Sequence, residues 1–537
     1  MGDRLLRVRE PLGACRDPNA SHGSHACSDA LESLRNPFWI EDEPGAFHTT
    51  GWLDAFDSEP SPFAVAAESA SDIATAVRFA RERRIPLVVK GTGHDYLGRS
   101  SSPESLLIWT HHMRNVKVHD SFTPAGAGKE SAAPAISVGA GVRWIEACRA
   151  LSGTRYYVQG GGCTSVGAAG GFTLGGGFGS FSRRFGTAAG NVLELEVVTA
   201  DGEIVVASAN QNPDLFWALR GGGGGTFGIV ARVTFRTHRA PESMTAAAGS
   251  IRSKDTESFR SLLGMIVRLV PDLCDDHWGE QIRLSGDNSV ELSMIAADVD
   301  DSEAQDLWRP LMDWVARHSD AFDSDAFVAT GPFELGSFWD ARSWAELMPE
   351  MIRQDERPGS PAGMFWWAAN QEEVSQYVEA YKSRWIPLPL FEESPDVAAD
   401  ALFEASRHWR LSLHFNKALA GASADATERD RTTSINPAVF EAACLAISAS
   451  SQHAYPGVPG HEPNRRLAAD RARRVDGAMA PIRELTPGSG SYANEADYFE
   501  PEWQRSAWGD NYERLLEIKQ KYDPDNVFCV HHGVGSS

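Results

Sequence analysis

The sequence predicts an α+β fold with two domains: a glycine-rich one, and a second in which an antiparallel sheet is backed by helices. Three observations lead to this prediction. A strand–helix–strand pattern lies at 63–90, and ten glycines fall among the twenty residues 160–179. From Glu242 onward, amphipathic helices alternate with strands and glycine runs cease. Such a change in local sequence character indicates a domain boundary.

The first domain begins with a β-α-β unit. Ser71 is a candidate N-cap for a helix whose apolar residues recur on one face. These residues are Ile73, Ala76, Val77 and Ala80. Short apolar runs at 63–67 and 86–90 flank the helix and predict two strands. The second strand leads directly into the loop Gly91-Thr92-Gly93-His94.

The glycine-rich segment 160–179 is predicted to be a packed, ligand-binding backbone and not a flexible linker. Large apolar side chains interrupt its glycines, so the chain can pack on itself while its backbone approaches a ligand. A strand and a helix at 136–151 precede it. A hairpin around Asp201-Gly202, a glycine run at 220–225 and an apolar segment at 227–235 follow it. No glycine run fits a strand-to-helix GxGxxG turn, so a Rossmann fold is not predicted.

The second domain is predicted to place helices on one face of its sheet. Helical stripes lie at 259–267 and 307–315, with an alternating strand at 290–297 between them. Within 409–416 the odd-numbered side chains are apolar and the even-numbered ones polar, as in a strand with one face in the core. The polar ones are Arg410, Ser412, His414 and Asn416. This polar face must meet water or a substrate.

The tail is predicted to dock on the first domain. A helix-like stretch at 511–521 ends at Tyr522-Asp523-Pro524. The predicted organisation is an N-terminal extension (1–49), a first domain (50–241), a second domain (242–490) and a C-terminal segment (491–537).

Composition limits the possible partners. The 537 residues contain 50 Lys+Arg against 73 Asp+Glu, a formal net charge of -23. This charge repels nucleic acid and acidic membrane surfaces and favours neutral small-molecule substrates. No apolar run reaches the length of about 18 to 20 residues that a membrane-spanning helix requires. The sequence predicts neither a nucleic-acid nor a membrane partner, and it does not indicate an oligomeric state.

The cysteines and histidines give weaker signals. Cys15 and Cys27 bracket a short polar loop, and whether they form a disulfide is left open. The pairs His111-His112 and His531-His532 lack an evident third ligand, so no metal site is predicted. The start of the chain lacks the apolar core of a signal peptide, and Asn19-Ala20-Ser21 is a short glycosylation pattern. Localisation stays open, with a secreted or periplasmic location favoured over a cytoplasmic one.

Three consecutive aromatic residues have two interpretations. Phe365, Trp366 and Trp367 could form a platform for a sugar or a phenol. Aromatic residues in a strand are more often part of the core, and this interpretation is favoured.

Four ordered segments resemble a known family. PLVVKGTGHDYLGRSS at 86–101 resembles the histidine-bearing flavin loop of the vanillyl-alcohol-oxidase superfamily. QGGGCTSVGAAGGFTLGGGFG at 159–179 resembles the second flavin loop of its berberine-bridge-enzyme-like branch. RGGGGGTFGIV at 220–230 and the tail around Trp508 to Tyr512 are also similar. The resemblance covers about 50–240 and 491–537, whereas the middle of the chain is similar only in its order of strands and helices.

The resemblance implies a two-subdomain FAD-binding domain of the vanillyl-alcohol-oxidase type plus a substrate domain. In the family, a histidine bonds the flavin 8α-methyl and often a cysteine bonds ring carbon C6. His94 and Cys163 occupy these positions. The other expected cofactor-binding residues are Lys90, Gly91, Thr92, Gly93, Asp95, Gly98, Gly162, Val166, Gly167, Gly170, Gly171, Gly176, Gly177, Gly179 and Ile229.

The resemblance further implies an oxidase that takes a hydride from an alcohol and reduces dioxygen to hydrogen peroxide. Tyr492, in a Tyr-x-Asn motif with Asn494, is the expected base, and a cation such as Arg410 could help to activate it. His414 is the alternative base. Val166 is expected to border the path of oxygen. A flavin dehydrogenase or oxidative cyclase, and a catalytically silent FAD-binding protein, are the alternative functions.

Overall fold

A computed structural model describes residues 2–16 and 25–536. The pattern Asn19-Ala20-Ser21 lies outside these residues. Cys15 and Cys27 form a disulfide, which settles the question that the sequence left open. None of the described helices combines the length and the apolar character needed to cross a membrane.

The β-α-β unit forms part of a four-stranded sheet. The helix Ala70–Arg83 connects the strands Phe63–Ala66 and Leu87–Lys90, but the strand Leu106–Trp109 lies between them and pairs in parallel with both. The strand Leu5–Arg7 pairs with the outer side of Phe63–Ala66. The predicted N-cap is wrong, because the helix begins earlier than the pattern indicated.

The observed N-cap of this helix is Ser69. Its hydroxyl accepts a hydrogen bond from the amide of Asp72 at 3.3 Å. Ser71 therefore lies inside the first turn. Both serines fit the sequence pattern of an N-cap, and only the path of the preceding strand distinguishes them.

A five-stranded antiparallel sheet completes the first domain. It contains the predicted hairpin, and its order is Ile204–Ser208, Val192–Val198, Ile229–Arg236, Ala133–Gly139 and Val116–Phe122. The helices Trp144–Ala150 and Pro213–Ala218 contribute to its core. That core includes Leu174 and Phe181, so the glycine-rich segment is packed as predicted.

A ten-stranded sheet dominates the second domain. Its order is Phe322–Ser324, Ser243–Ser253, Ser289–Ala297, Trp278–Ser285, Leu411–His414, Ala442–Gln452, Gln376–Pro387, Thr49–Trp52 and Phe56–Asp57, with Phe327–Pro332 also paired to Ser243–Ser253. The buried faces of several helices and of this sheet form one hydrophobic cluster, as predicted. The long helices are Thr256–Leu273, Asp301–Arg317, Pro395–His408 and Arg465–Leu485.

Two strands near the N-terminus belong to this large sheet. Thr49–Trp52 pairs in parallel with Gln376–Pro387, and Phe56–Asp57 continues the edge. The chain therefore adds two strands to the second domain's sheet before it reaches the β-α-β unit. Sequence periodicity carries no signal for this, because strands this short have no resolvable pattern.

The remaining elements are short. The other α-helices are Gly13–Arg16, His25–Ser33, Pro37–Asp42, Gly171–Leu174, Ser182–Phe185, Leu335–Phe338, Ala341–Leu347, Leu388–Glu393, Ala424–Asp430, Trp503–Trp508 and Tyr512–Tyr522. Two small sheets pair Tyr156–Tyr157 with His238–Arg239 and Ile352–Gln354 with Phe365–Trp367. Phe365 and Trp366 are buried in the first domain's core, as the favoured interpretation predicts.

Arg183 joins the two domains. Its side chain is 1% exposed and donates hydrogen bonds to the carbonyl oxygens of Leu273, Trp278 and Ala443, at 3.2, 3.2 and 2.5 Å. These acceptors belong to the second domain, whereas Arg183 follows the glycine-rich segment. The side of the molecule that carries the glycine-rich segment is thus joined to the large sheet.

The tail docks on the first domain, as predicted. Trp508 Nε1 donates to the carbonyl oxygen of Gly221 at 2.9 Å, and the buried Lys519 donates to that of Thr226 at 2.9 Å. Both acceptors lie in or beside the second glycine run.

Candidate functional site

His94 lies in the loop that follows the strand Leu87–Lys90. Its Nε2 atom is 3.0 Å from Ser165 Oγ and 3.3 Å from Glu41 Oε1. The ring of His48 stacks on that of His94 with their centroids 3.7 Å apart. Contacts with Glu41, His48 and Ser165 thus fix the imidazole of His94.

Cys163 meets His94 at the same serine. Its Sγ atom lies 3.7 Å from Ser165 Oγ, so both expected attachment residues contact one hydroxyl. Burial raises the pKa of the Cys163 thiol to about 12. The sequence placed the two residues in separate loops, and the fold brings them together.

Glu41 is fully buried beside these residues. The guanidinium of Arg143 binds it, and Arg143 also pairs with Asp42 at 3.1 Å. Glu41, His48 and His94 form the one group in 2–16 and 25–536 whose ligand atoms, within 4.8 Å of one another, could hold a metal ion. Both oxygens of Glu41 already have protein partners, Oε2 with Arg143 and Oε1 with His94.

Lys90 has a role that the sequence did not predict. Its ammonium donates to the carbonyl oxygens of Ile40, Glu43 and Ala46 at 3.4, 2.9 and 2.7 Å. Burial lowers the pKa of Lys90 to about 7, against the opposing effect of Glu41. The side chain therefore points at the N-terminal extension, and only its backbone can face a cofactor.

Open space adjoins the second predicted loop. A Cβ atom added at Gly162, Gly170 or Gly171 would meet no other atom within 4 Å. These glycines, of which Gly162 and Gly171 are exposed, thus leave their backbone open to an approaching group. The amide of Gly167 donates to Thr92 Oγ1 at 3.0 Å, which ties this loop to the His94 loop.

The other predicted cofactor residues have varied surroundings. Gly93, Gly98, Gly176 and Gly177 have positive φ angles, which glycine adopts without strain. Gly91 and Gly179 lie against backbone carbonyl groups, Asp95 binds Arg99, and Val166 is partly buried. Ile229 packs in a core cluster and is 2% exposed.

Tyr492 and Asn494 dock onto the second loop. Asn494 Nδ2 donates to Tyr492 Oη at 2.9 Å and to the carbonyl oxygen of Gly171 at 2.9 Å. The amide of Gly177 also donates to Tyr492 Oη at 3.2 Å. Burial, followed by the charge of Glu495, raises the pKa of Tyr492 above its usual value of 10, although the two donors oppose this.

His414 and Arg410 both lie on the predicted strand, but their burial and their contacts differ. His414 lies opposite Gln281 and Leu445 on the two neighbouring strands. Burial holds the pKa of His414 well below the usual 6.5. Arg410 is half exposed and pairs with Glu372 at 3.2 Å. The expectation that Arg410 activates Tyr492 is wrong, because its guanidinium points to the surface.

A polar network that the sequence did not reveal adjoins Tyr492. Lys417 Nζ pairs with Glu495 Oε2 at 2.5 Å, and burial, followed by the charge of Glu495, raises the pKa of Tyr381. Tyr96 stacks on Tyr381 with centroids 4.8 Å apart. These residues come from four distant parts of the chain. The position of Tyr96, shortly after His94, was the only available signal.

Glu280 also escaped prediction. It has φ +71° in the middle of a strand, a conformation that costs energy in a non-glycine residue. Its carboxylate accepts hydrogen bonds from Ser180 and from Asn416 Nδ2, the latter at 3.3 Å. Burial raises its pKa. Strain and a buried acid beside the glycine-rich segment indicate a functional position.

Comparison with known proteins agrees with this architecture. A family model described as "FAD binding domain" matches residues 61–208, and one described as "Berberine and berberine like" matches 491–535. The chain is 31% identical over 484 residues to the FAD-linked oxidoreductase ZEB1 of Gibberella zeae, and the match covers 88% of this chain and 76% of that protein. The chain is also 31% identical over 478 residues to the VAO-type flavoprotein oxidase VAO615 of Thermothelomyces thermophilus, and this match covers 88% of this chain and 76% of that protein.

Solved structures show the same fold. The VAO-type flavoprotein MtVAO615 of Myceliophthora thermophila superposes with a TM-score of 0.79 at 26% identity, covering 99% of this chain and 93% of that one. The glucooligosaccharide oxidase of Acremonium strictum has a TM-score of 0.69 at 20% identity, with coverages of 92% and 94%. That oxidase carries a 6-S-cysteinyl, 8α-N1-histidyl FAD.

Proposed function

The chain belongs to the FAD-linked oxidoreductases of the vanillyl-alcohol-oxidase type, in the berberine-bridge-enzyme-like branch, and on this premise we propose that it is an alcohol oxidase with bicovalent FAD. The substrate is a small molecule, either a carbohydrate or a phenolic or secondary-metabolite alcohol. The electron acceptor is dioxygen, and hydrogen peroxide is the product. One observation carries the proposal: His94 and Cys163 meet at Ser165 beside the open, glycine-lined backbone.

The residues present fit a covalently bound flavin. The backbone at Gly162, Gly170 and Gly171 faces open space that a planar ring could occupy, and His94 and Cys163 would form the bonds to its 8α-methyl and C6. The glycine-rich backbone offers N–H groups to a pyrophosphate without basic side chains. FAD in this position would supply a two-electron acceptor for a hydride from the substrate carbon.

Tyr492 is proposed to take the hydroxyl proton of the substrate. Its oxygen accepts hydrogen bonds from Gly177 and Asn494, and these donors favour the phenolate. No described residue accepts a hydrogen bond from this hydroxyl. His414 stays neutral because of its burial and is the alternative acceptor.

An anaerobic screen tests the proposed reaction. Sugars, phenolic alcohols and hydroxylated metabolites are mixed with the oxidised protein, and a substrate is recognised by loss of flavin absorbance. Admission of air should restore the absorbance and release one equivalent of peroxide per cycle. Bleaching without peroxide on reoxidation would instead identify a dehydrogenase or a cyclase, and no bleaching by any candidate would favour a silent protein.

A further inference from the structure

The N-terminal extension reaches the flavin-attachment histidine. Glu41 belongs to the helix Pro37–Asp42, which lies outside the matched FAD-binding segment 61–208. Asn36 caps this helix by accepting from the amides of Phe38 and Trp39 at 2.9 and 3.3 Å. The carboxylate at the helix end is therefore held in place against His94.

Glu41 determines which nitrogen of His94 carries the proton. A carboxylate paired with Arg143 can only accept a hydrogen bond, so Nε2, at 3.3 Å, must donate. Ser165 does not oppose this, because a hydroxyl rotates to suit either tautomer. Among residues 2–16 and 25–536, none hydrogen-bonds to Nδ1 of His94. Its lone pair is thus free.

His48 fixes the plane of the ring. It is 2% exposed and stacks on His94, and its Nε2 atom lies 4.0 Å from Glu41 Oε1. Burial, followed by the charge of His94, keeps the pKa of His48 well below its usual value. A neutral ring packs against His94 without repelling a positive charge that forms there.

We infer that Glu41, with His48, is a positioning residue that prepares Nδ1 of His94 to form the histidyl–flavin bond. The inference rests on the covalent attachment proposed above. The carboxylate orients the ring and stabilises the charge that appears on the imidazole as Nδ1 becomes bonded, as outer-sphere carboxylates do for metal-binding histidines.

Dioxygen is the oxidant when the histidyl–flavin bond forms. A bond forms between Nδ1 and the 8α-carbon, one methyl C–H bond breaks, and the imidazole loses its N–H proton. The two electrons released pass through the flavin to dioxygen, which takes up both protons and leaves as hydrogen peroxide. Glu41 is the first acceptor for the proton on Nε2.

The test uses full-length protein with Cys163→Ala, so that only the histidyl bond can retain FAD after acid precipitation. Total FAD and acid-stable FAD are measured separately as a function of time after FAD addition, and mass spectrometry locates the modified peptide. Adding Glu41→Gln should leave total FAD unchanged and slow the appearance of acid-stable FAD about tenfold or more. Asp42→Asn, the matched control, removes the other carboxylate on Arg143 and should not slow it.

Two results would overturn the inference. One is an unchanged rate of covalent attachment when Glu41→Gln is introduced. The other is loss of total and acid-stable FAD in parallel, which indicates a general structural role.

A double variant keeps the inference testable if the Glu41→Gln protein does not fold. If Glu41→Gln yields no soluble protein, the double variant Glu41→Gln with Arg143→Gln, in which the buried pair is neutral on both sides, is judged by the same two criteria. Absence of acid-stable FAD in Cys163→Ala alone would refute the histidyl bond itself, and with it the proposed attachment.

Discussion

At the scale of single residues, the shared contact of His94 and Cys163 with Ser165 gives the first prediction. FAD should remain with the protein through acid precipitation, and neither His94→Ala nor Cys163→Ala alone should release all of it. The double variant should release it completely. Release of all the flavin from the unmodified protein on denaturation would contradict bicovalent attachment.

The base gives a second prediction, in which the two candidates differ in their pH dependence. Because burial raises the pKa of Tyr492, its phenolate becomes more abundant with rising pH, and the rate of flavin reduction should increase throughout pH 7–10. Because burial lowers the pKa of His414, a histidine base would give a rate that is already constant above about pH 6.5. Stopped-flow reduction across this range distinguishes them.

Substitution completes that test. Tyr492→Phe should slow flavin reduction about a hundredfold or more while FAD stays bound, as expected for loss of general-base catalysis. Reduction of this variant at the wild-type rate would make His414 the residue to substitute next.

Val166 gives a third prediction at this scale. It is partly buried in the second loop, and its carbonyl oxygen accepts from the amide of Trp144 at 2.9 Å, so its backbone is fixed. Val166→Ile should therefore add bulk without moving the loop, and it should slow reoxidation by dioxygen more than reduction by substrate. Equal effects on the two half-reactions would argue against a role in oxygen access.

At this scale, the sequence predicts those site residues that lie in a contiguous motif. His94, Cys163, Tyr492 and Asn494 each stand in a contiguous pattern, and the structure brings the first two together. Glu41 and Lys417 were missed because a lone charged residue in a helix or beside a strand usually faces water. Only their long-range partners, Arg143 and Glu495, distinguish them from surface charges.

At the scale of elements, the periodic helices and the hairpin were predictable, whereas short strands were not. The helix Thr256–Leu273 shows a long apolar stripe, and the strand Ser289–Ala297 alternates clearly. Leu106–Trp109 is apolar at every position, and Thr49–Trp52 has only four residues. Neither pattern has a period, so their places in the sheets depend on tertiary pairing.

Lys90 gives a prediction about the N-terminal extension. The folded protein lowers its pKa from 10.5 to about 7, so the unfolded chain binds more protons between these pH values. The free energy of unfolding should therefore gain a contribution that rises with pH from about 7 to 10.5. In Lys90→Met this rise should disappear. The melting temperatures of the wild-type protein and of Lys90→Met are measured at about pH 7 and about pH 9. If the difference between the two pH values is the same in both proteins, the assignment is wrong.

At the scale of the whole molecule, the join between domains depends on Arg183. Arg183→Met removes the guanidinium donor from three buried carbonyl groups, at about 1–3 kcal/mol for each group that is left unsatisfied. The melting temperature should fall by several degrees. Arg232→Met is the control, because Arg232 is partly exposed and its partners, Glu194 and Glu196, lie in its own domain, so its loss should have a smaller effect. Equal shifts for the two variants would show that the join does not depend on Arg183.

The docking of the tail also sets the timing of maturation. The segment with Tyr492, Asn494 and the helix Tyr512–Tyr522 is synthesised after the second domain, yet it completes a domain whose first strands are synthesised before that. Domains usually fold as units while the chain emerges from the ribosome. Here the first domain must wait for this later segment, so the flavin attachment proposed above would follow synthesis of the second domain. A chain truncated before residue 491 would carry His94 and Cys163, the two proposed attachment residues, in an unfinished domain.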